Sequence, residues 1–162
     1  SFNLFGTCIG ISTPECLTYG GRNSKGEIIV PNGAPKRCHL FNGNFVLIGT
    51  DVQSKLGFID QRFTHSLGDF DYSLRSLQAG FSSWVCSEII AQCDRNDTLI
   101  CFDSAHDFAE RLSSFRAVTG FNISEYITYT RRHYPLGQVI LKLVKVYFRL
   151  CFPKIYNSLK GL

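Results

Sequence analysis

"LGDFDYSLRSLQAG" (Leu67–Gly80) decides how the rest of the chain is read. Phe70, Leu74 and Leu77 recur at i, i+4 and i+7, which predicts one apolar face of a helix. Gly80 suits the left-handed position just past its end. Asp69 falls at or just before the helix start, where a carboxylate can accept backbone N–H groups near the positive end of the helix dipole. Both effects favour its ionised form. Two residues along a helix is about 200° of rotation, so Asp69 and Asp71 point to different sides and do not form a shared-proton pair. Asp71 and Arg75, four apart, can pair on one face, worth about 0.3–0.5 kcal/mol if exposed. The plainest reading makes Asp69 a helix cap and Asp71–Arg75 a surface ion pair, neither doing chemistry.

Upstream, "FNLFGTCIGI" (2–11) reads as a buried strand, and residues 18–37, rich in Gly, Pro and Asn, as a loop or hairpin with "EIIV" as a short strand. "NGN" (42–44) marks a turn before the strand "FVLIG", and "TDVQSKLG" a short helix capped by Thr50 or Asp51 and ended by Gly57. Downstream, "FSSWVC" (81–86) reads as a strand. "SAHDFAERLSSF" (104–115) reads as a helix with Ser104 as cap and Asp107 three residues on. "NISEYITYTRRH" (122–133) reads as a helix capped by Asn122 with Glu125 at the third position and stopped by Pro135. "LGQVILKLVKVYFRLCF" (136–152) is long, apolar and basic. Strands come first and helices last, as in an α/β or α+β chain.

The 162 residues, 44% hydrophobic and 19% charged, suit a globular chain. A net charge of +4 is too weak to argue for nucleic acid. Seven cysteines without a C-x-x-C pair fit no zinc module and suggest thiols in a reducing compartment. The opening residues show no basic, apolar and small-residue pattern of a signal peptide, so none is expected from them, and the sequence holds no run of about 20 apolar residues. The chain has no Met and opens on the strand-like "SFNLFG", which suggests a piece of a longer protein.

"FNGNFVLIGTDVQSKLGFIDQRFTHSLGDFDYSLRSLQAGFSSWV" resembles the C-terminal, acceptor-side half of the catalytic domain of family 2 glycosyltransferases, inverting nucleotide-sugar enzymes of the GT-A fold. "GNFVLIG" looks like the strand beneath the acceptor side. "DVQSKLGFIDQRF" looks like the family's helix and G-x-x-D-x-x-F turn, and "GDFDYSLRSLQAGF" like its E-D-x-D-L-x-x-R-x-x-x-x-G signature. "YGGR" and "RRHYP" also have counterparts in a bacterial polysaccharide-type subgroup. The match centres on residues 38–87 and weakens beyond them.

The resemblance implies an α/β chain: residues 1–102 as part of a GT-A mixed sheet with helices, and residues 103–162 as a helical C-terminal extension packed on it. It makes Asp69 the general base that takes the acceptor hydroxyl's proton. Asp71 and Arg75 would brace the helix start and contact the acceptor as substrate-binding residues, and Asn42, Gly43, Asn44 and Gly68 would lie near the sugars. Transfer of a hexosyl or rhamnosyl unit from a nucleotide-sugar donor to a glycan or lipid-linked acceptor, in polysaccharide biosynthesis and in the cytoplasm, is the implied activity. Gly68 stands where the family often has Glu. The D-x-D metal motif is absent, so Mg²⁺ or Mn²⁺ is implied by the family without ligands in this chain. The rival expectation is a degenerate, non-catalytic module that binds carbohydrate or membrane.

Among the other side chains, Trp84 and Phe63 read as core, His133 as a cation suited to a helix end, and His65 and His106 as surface groups; His39 carries no case. Lys142, Lys145 and Arg149 share a helical face beside an apolar one. Residues 136–151 are therefore an expected contact with a membrane surface.

Overall fold

A computed structural model describes residues 2–11, 14–94 and 99–160. They form a mixed α/β arrangement with six α-helices among them. The chain divides into two compact units, Ser1–Asp60 with Gly68–Asn96, and Gln61–Leu67 with Asp97–Leu162.

The first unit is built on β1 (Phe2–Ile9). Its start pairs antiparallel with β6 (Val46–Ile48), and its end with β2 (Leu17–Tyr19). Along its other side runs β7 (Ser82–Gln92), parallel to it, and β7 in turn pairs antiparallel with β4 (Lys36–Cys38). A small second sheet joins β3 (Gly21–Arg22) to β5 (Leu40–Phe41). The segment "EIIV" is not the expected strand; it contributes only an isolated bridge between Ile28 and Arg22. The strand expected at "FSSWVC" extends to Gln92 because β1 offers a parallel edge along nearly its whole length.

Helix α1 (Thr50–Leu56) begins after Gly49, with no side-chain cap; Thr50 and Asp51, the expected caps, lie inside its first turn. Gly57 ends it with φ of 72°, a conformation open to glycine, and its N–H returns to the Gln53 carbonyl. Helix α2 (Gly68–Gln78) closes as expected. Gly80 is left-handed, and the N–H groups of Gly80 and Phe81 bond the carbonyls of Leu77 and Ser76, a Schellman ending.

The buried face of α2 is not the expected one. Leu77 is exposed and Phe70 and Leu74 are half-buried, while Asp71, Tyr72, Ser73 and Ser76 are buried. The reason lies in β1. Asn3 is fully buried there, and its side-chain amide donates to Ser76 Oγ at 2.8 Å. An unpaired buried amide is costly, so the polar face of α2 turns inward to meet it. The apolar core beside it holds Phe5, Cys38, Phe41, Val52, Tyr72 and Val85, with the Phe5 and Phe41 rings stacked 3.7 Å apart.

In the second unit a 3-10 turn (Ile100–Phe102) precedes α3 (Phe108–Arg116). Asp107, not Ser104, caps α3. Its carboxylate accepts the Glu110 N–H while Glu110 accepts the Asp107 N–H, the reciprocal pair that a Ser104 start would forgo. Helix α4 (Ile123–His133) is capped by Asn122 as expected. Helix α5 (Leu136–Cys151) starts after Pro135. It ends at Phe152, whose backbone leaves the helical region ahead of Pro153. A further helix, α6 (Pro153–Lys160), then begins on that proline, whose missing N–H costs nothing at a first helical position. The core of this unit gathers Cys101, Phe102, Phe115 and Leu150. No described helix is long and apolar enough to cross a membrane. The seven cysteines are all unpaired.

Candidate functional site

Asp69 sits in the first turn of α2, inside the helix by one residue. Its Oδ2 accepts the backbone N–H of Gly43 at 2.8 Å, and its Oδ1 accepts the N–H of Phe70 at 2.7 Å. Ser73, one turn on, reinforces this corner. Its hydroxyl donates to the Asp69 carbonyl at 2.7 Å and accepts the Phe41 N–H at 3.4 Å. The end of β5, the 42–44 turn and the mouth of α2 are thereby stitched together.

Asp69 and Gly43 line a cleft of about 320 Å³. Its other walls are mostly apolar, with Phe41, Val46, Ile48 and Phe58 among them. That lining decides the state of the acid. Burial pushes the Asp69 carboxyl above the ordinary aspartate range; the N–H donors of Gly43 and Phe70 and the nearby Arg22 charge pull the other way without cancelling it. The expectation that the helix start would on balance favour the charge is therefore overturned by desolvation. What remains is a carboxylate whose oxygens are held in place and whose proton affinity is raised, and such a group is a stronger base once ionised.

Asp71 lies elsewhere, as the two-residue spacing requires. It is fully buried, and Arg75 Nε donates to its Oδ2 at 2.9 Å. This is no surface ion pair. The same guanidinium reaches the carbonyls of Leu56 at 3.1 Å and Phe58 at 3.3 Å. Tyr72, which the sequence reading passed over, donates its hydroxyl to the Gly57 carbonyl at 3.1 Å and lines the cleft itself. Its spacing of three from Asp69, one helical neighbour away, was the available clue. Together Arg75 and Tyr72 hold the 56–58 backbone that forms one cleft wall.

The 42–44 turn divides its roles. Gly43 alone reaches the cleft. Asn42 accepts from Arg22 Nε at 3.2 Å, one step removed from Asp69, and Asn44 donates to Cys93 Sγ at 3.4 Å. Gly68 forms the first residue of α2 and is absent from the cleft lining. Just before it, Leu67 holds a φ of 62°, a left-handed conformation that a leucine rarely adopts.

The one D-x-D spacing does not form a site for Mg²⁺ or Mn²⁺. Asp69–Phe70–Asp71 is the one D-x-D spacing in the sequence, and its carboxylates part company, one at the cleft and one buried on Arg75. Among the described residues no three His, Cys, Asp or Glu side chains come together to hold a metal ion.

In the second unit, Phe63 is buried, as expected, under the Arg132 guanidinium. In the first, Trp84 is half-buried, its indole N–H given to Ser82 Oγ at 2.9 Å and its ring flanked by Arg37. His133 closes α4 with its ring against Tyr129. His106 faces Glu110 at 3.2 Å.

Glu125 is the other acid that sequence reading undervalued. It is buried, and its carboxylate receives the N–H and hydroxyl of Thr64, the N–H of Ser66 and the side-chain amide of Asn122. Burial alone would raise its pKa. The hydrogen bonds from Thr64, Ser66 and His65 outweigh that and hold it below the usual glutamate range. The hydroxyls of "FTHS" were the only sequence clue to this latch.

No family model matches the chain, and no curated protein or solved structure matches it.

Proposed function

We propose that the chain is the acceptor-side part of an inverting glycosyltransferase, with Asp69 as general base. The observation that carries this reading is the fixed, desolvated carboxylate on the cleft wall, both oxygens oriented by backbone N–H groups. An acceptor hydroxyl placed in the cleft gives its proton to Asp69 as its oxygen attacks the anomeric carbon of a nucleotide sugar. The bond from that carbon to the nucleotide diphosphate breaks, and the configuration inverts. General-base transfer of this kind contributes about 10²–10⁴-fold. Apolar walls such as Phe41 and Phe58 suit the carbon face of a sugar ring, and Gly43 keeps the backbone close to it. The resemblance of residues 38–87 to the family's ordered motifs supports the same assignment, with a glycan or lipid-linked acceptor.

The test is transfer from a panel of nucleotide sugars by the full-length protein and its Asp69→Asn variant. Loss of transfer with donor binding intact is expected. Undiminished transfer by the variant overturns the role of Asp69.

A second reading, a non-catalytic module, is favoured by one observation: the carboxylates of the single D-x-D spacing do not converge. Glycan binding by the full-length protein, equal in wild type and Asp69→Asn and without turnover of any donor, is its expected result.

A further inference from the structure

Charge is split unevenly along the chain. No Asp or Glu follows Glu125, and seven Lys and Arg do, so residues 126–162 carry +7 while residues 1–125 carry −3. Helix α5 lies in the basic part, and it presents three sectors around its axis. At about 100° per residue, Val139, Leu143, Val146 and Leu150 fall together. Val139 and Leu150 are buried there, and Val146 packs on the core. Lys142, Lys145 and Arg149 form the next sector. The remaining arc, about 140° wide, holds Leu136, Ile140, Leu141, Val144, Tyr147 and Phe148 and no charge.

That third sector faces outward. Leu136 is 74% exposed, Leu141 68%, Val144 60% and Ile140 55%. The surface continues past the end of α5, where the Phe148 and Phe152 rings lie 5.4 Å apart, to exposed Ile155 and Leu159 on α6. An amphipathic helix needs only its inner face apolar; a second, uncharged apolar face in water has a cost and marks a contact surface.

The cationic sector says which contact. Beside the apolar arc opens a cleft of about 570 Å³ lined by Lys142, Lys145 and Arg149, with Gln138, Tyr126 and Tyr156. Leu141 borders both the cleft and the arc. The Arg149 guanidinium lies 4.1 Å from the Phe102 ring centre, and the Lys142 ammonium 4.0 Å from that of Tyr134. Two of the three cations thus lie over aromatic rings beside an apolar strip, in a stretch with no Asp or Glu after Glu125.

We infer that the α5–α6 surface seats on an anionic lipid bilayer, the apolar strip entering the acyl boundary and the Lys142–Lys145–Arg149 cleft receiving lipid phosphates. Apolar depth and flanking cations are the two elements that interfacial binding combines. This assignment is independent of the chemistry proposed for Asp69.

The experiment is vesicle flotation of the full chain with phosphatidylcholine vesicles, with and without phosphatidylglycerol. Binding is expected only with the anionic lipid, and it weakens as salt is raised. Ile140→Glu and Val144→Glu, at exposed positions that leave the core intact, are each expected to lower binding by about tenfold or more. Lys142→Glu and Lys145→Glu should each lower it by about fivefold or more. Circular dichroism confirms that each variant keeps its helices. Asp69→Asn should bind vesicles like wild type, which separates this test from that of transfer. Equal binding to neutral vesicles, wild-type binding by the glutamate variants, or capture of free glycerol phosphate without vesicle binding overturns the proposal. So does a dimer that Val144→Glu returns to monomer in a chain that floats with no vesicle.

Discussion

The Gly43 N–H and the Asp69 carboxylate meet at 2.8 Å across 26 residues of sequence. The contact ties the turn after β5 to the mouth of α2, and it partly offsets the rise in proton affinity that burial gives the one acid on the cleft wall.

Under the proposed function, Asp69→Asn should remove transfer while leaving the fold intact. The expected loss in turnover is about 10²–10⁴-fold. Burial raises the Asp69 pKa, so the folded state holds the proton more tightly than the unfolded chain does. Stability at this site falls as pH rises from the ordinary aspartate pKa through the raised folded one. Asn abolishes that dependence, and thermal unfolding of the two proteins across this range checks it. The proposed transfer should run oppositely, rising with pH as Asp69 ionises.

Gly43 separates a donor effect from a steric one. A methyl group added there would meet Asp69 Cβ at 3.4 Å, an ordinary contact, and the residue does not need a positive φ. Gly43→Ala should keep near wild-type activity. Gly43→Pro removes the N–H, so the Asp69 pKa climbs further and the acid limb of the pH–rate profile moves to higher pH. An unmoved limb in the proline variant would show that this hydrogen bond does not tune the acid.

Arg75→Ala takes a guanidinium away from the fully buried Asp71 and from the Leu56 and Phe58 carbonyls. A loss of about 3 kcal/mol in urea unfolding is expected. Asp71→Asn combined with Arg75→Met should recover part of it, since the buried negative charge is then removed together with its cation.

Glu125→Gln should cost about 1–3 kcal/mol, because several donors aimed at a carboxylate lose part of their acceptor. Glu125 is held below the usual glutamate range, so its stabilisation is present above that range and is lost as pH falls through the lowered folded value. The difference between wild type and variant should shrink in acid. Limited proteolysis should cut the variant faster between residues 61 and 67.

Local patterns made β1, β6, α4 and the Asn122 cap readable, because apolar runs and cap residues act over a few positions. The face of α2 was not readable in this way. Its periodicity points Leu77 inward, but Asn3, 73 residues away from Ser76, turns the polar side in instead. For α3, the local pattern puts the cap at Ser104 with Asp107 three residues on, and only the reciprocal bond with Glu110 moves the cap to Asp107. The place of Asp69 at a helix start was legible, but local spacing read it as a cap, and only the resemblance to an ordered set of motifs picked it out. The apolar walls that set its pKa come from residues 41–59, and no spacing within α2 reports on them.

The parallel pairing of β1 with β7 sets a waiting time during synthesis. Phe2 finds its partner at Ser82, so the long flank of β1 stays open until some 80 further residues have left the ribosome. At about 5–20 residues per second that is about 4–16 s, during which the antiparallel partners β2 and β6 can cover only one flank. A chain cut short before residue 82 would carry a permanently bare β edge, and its expected fate is aggregation.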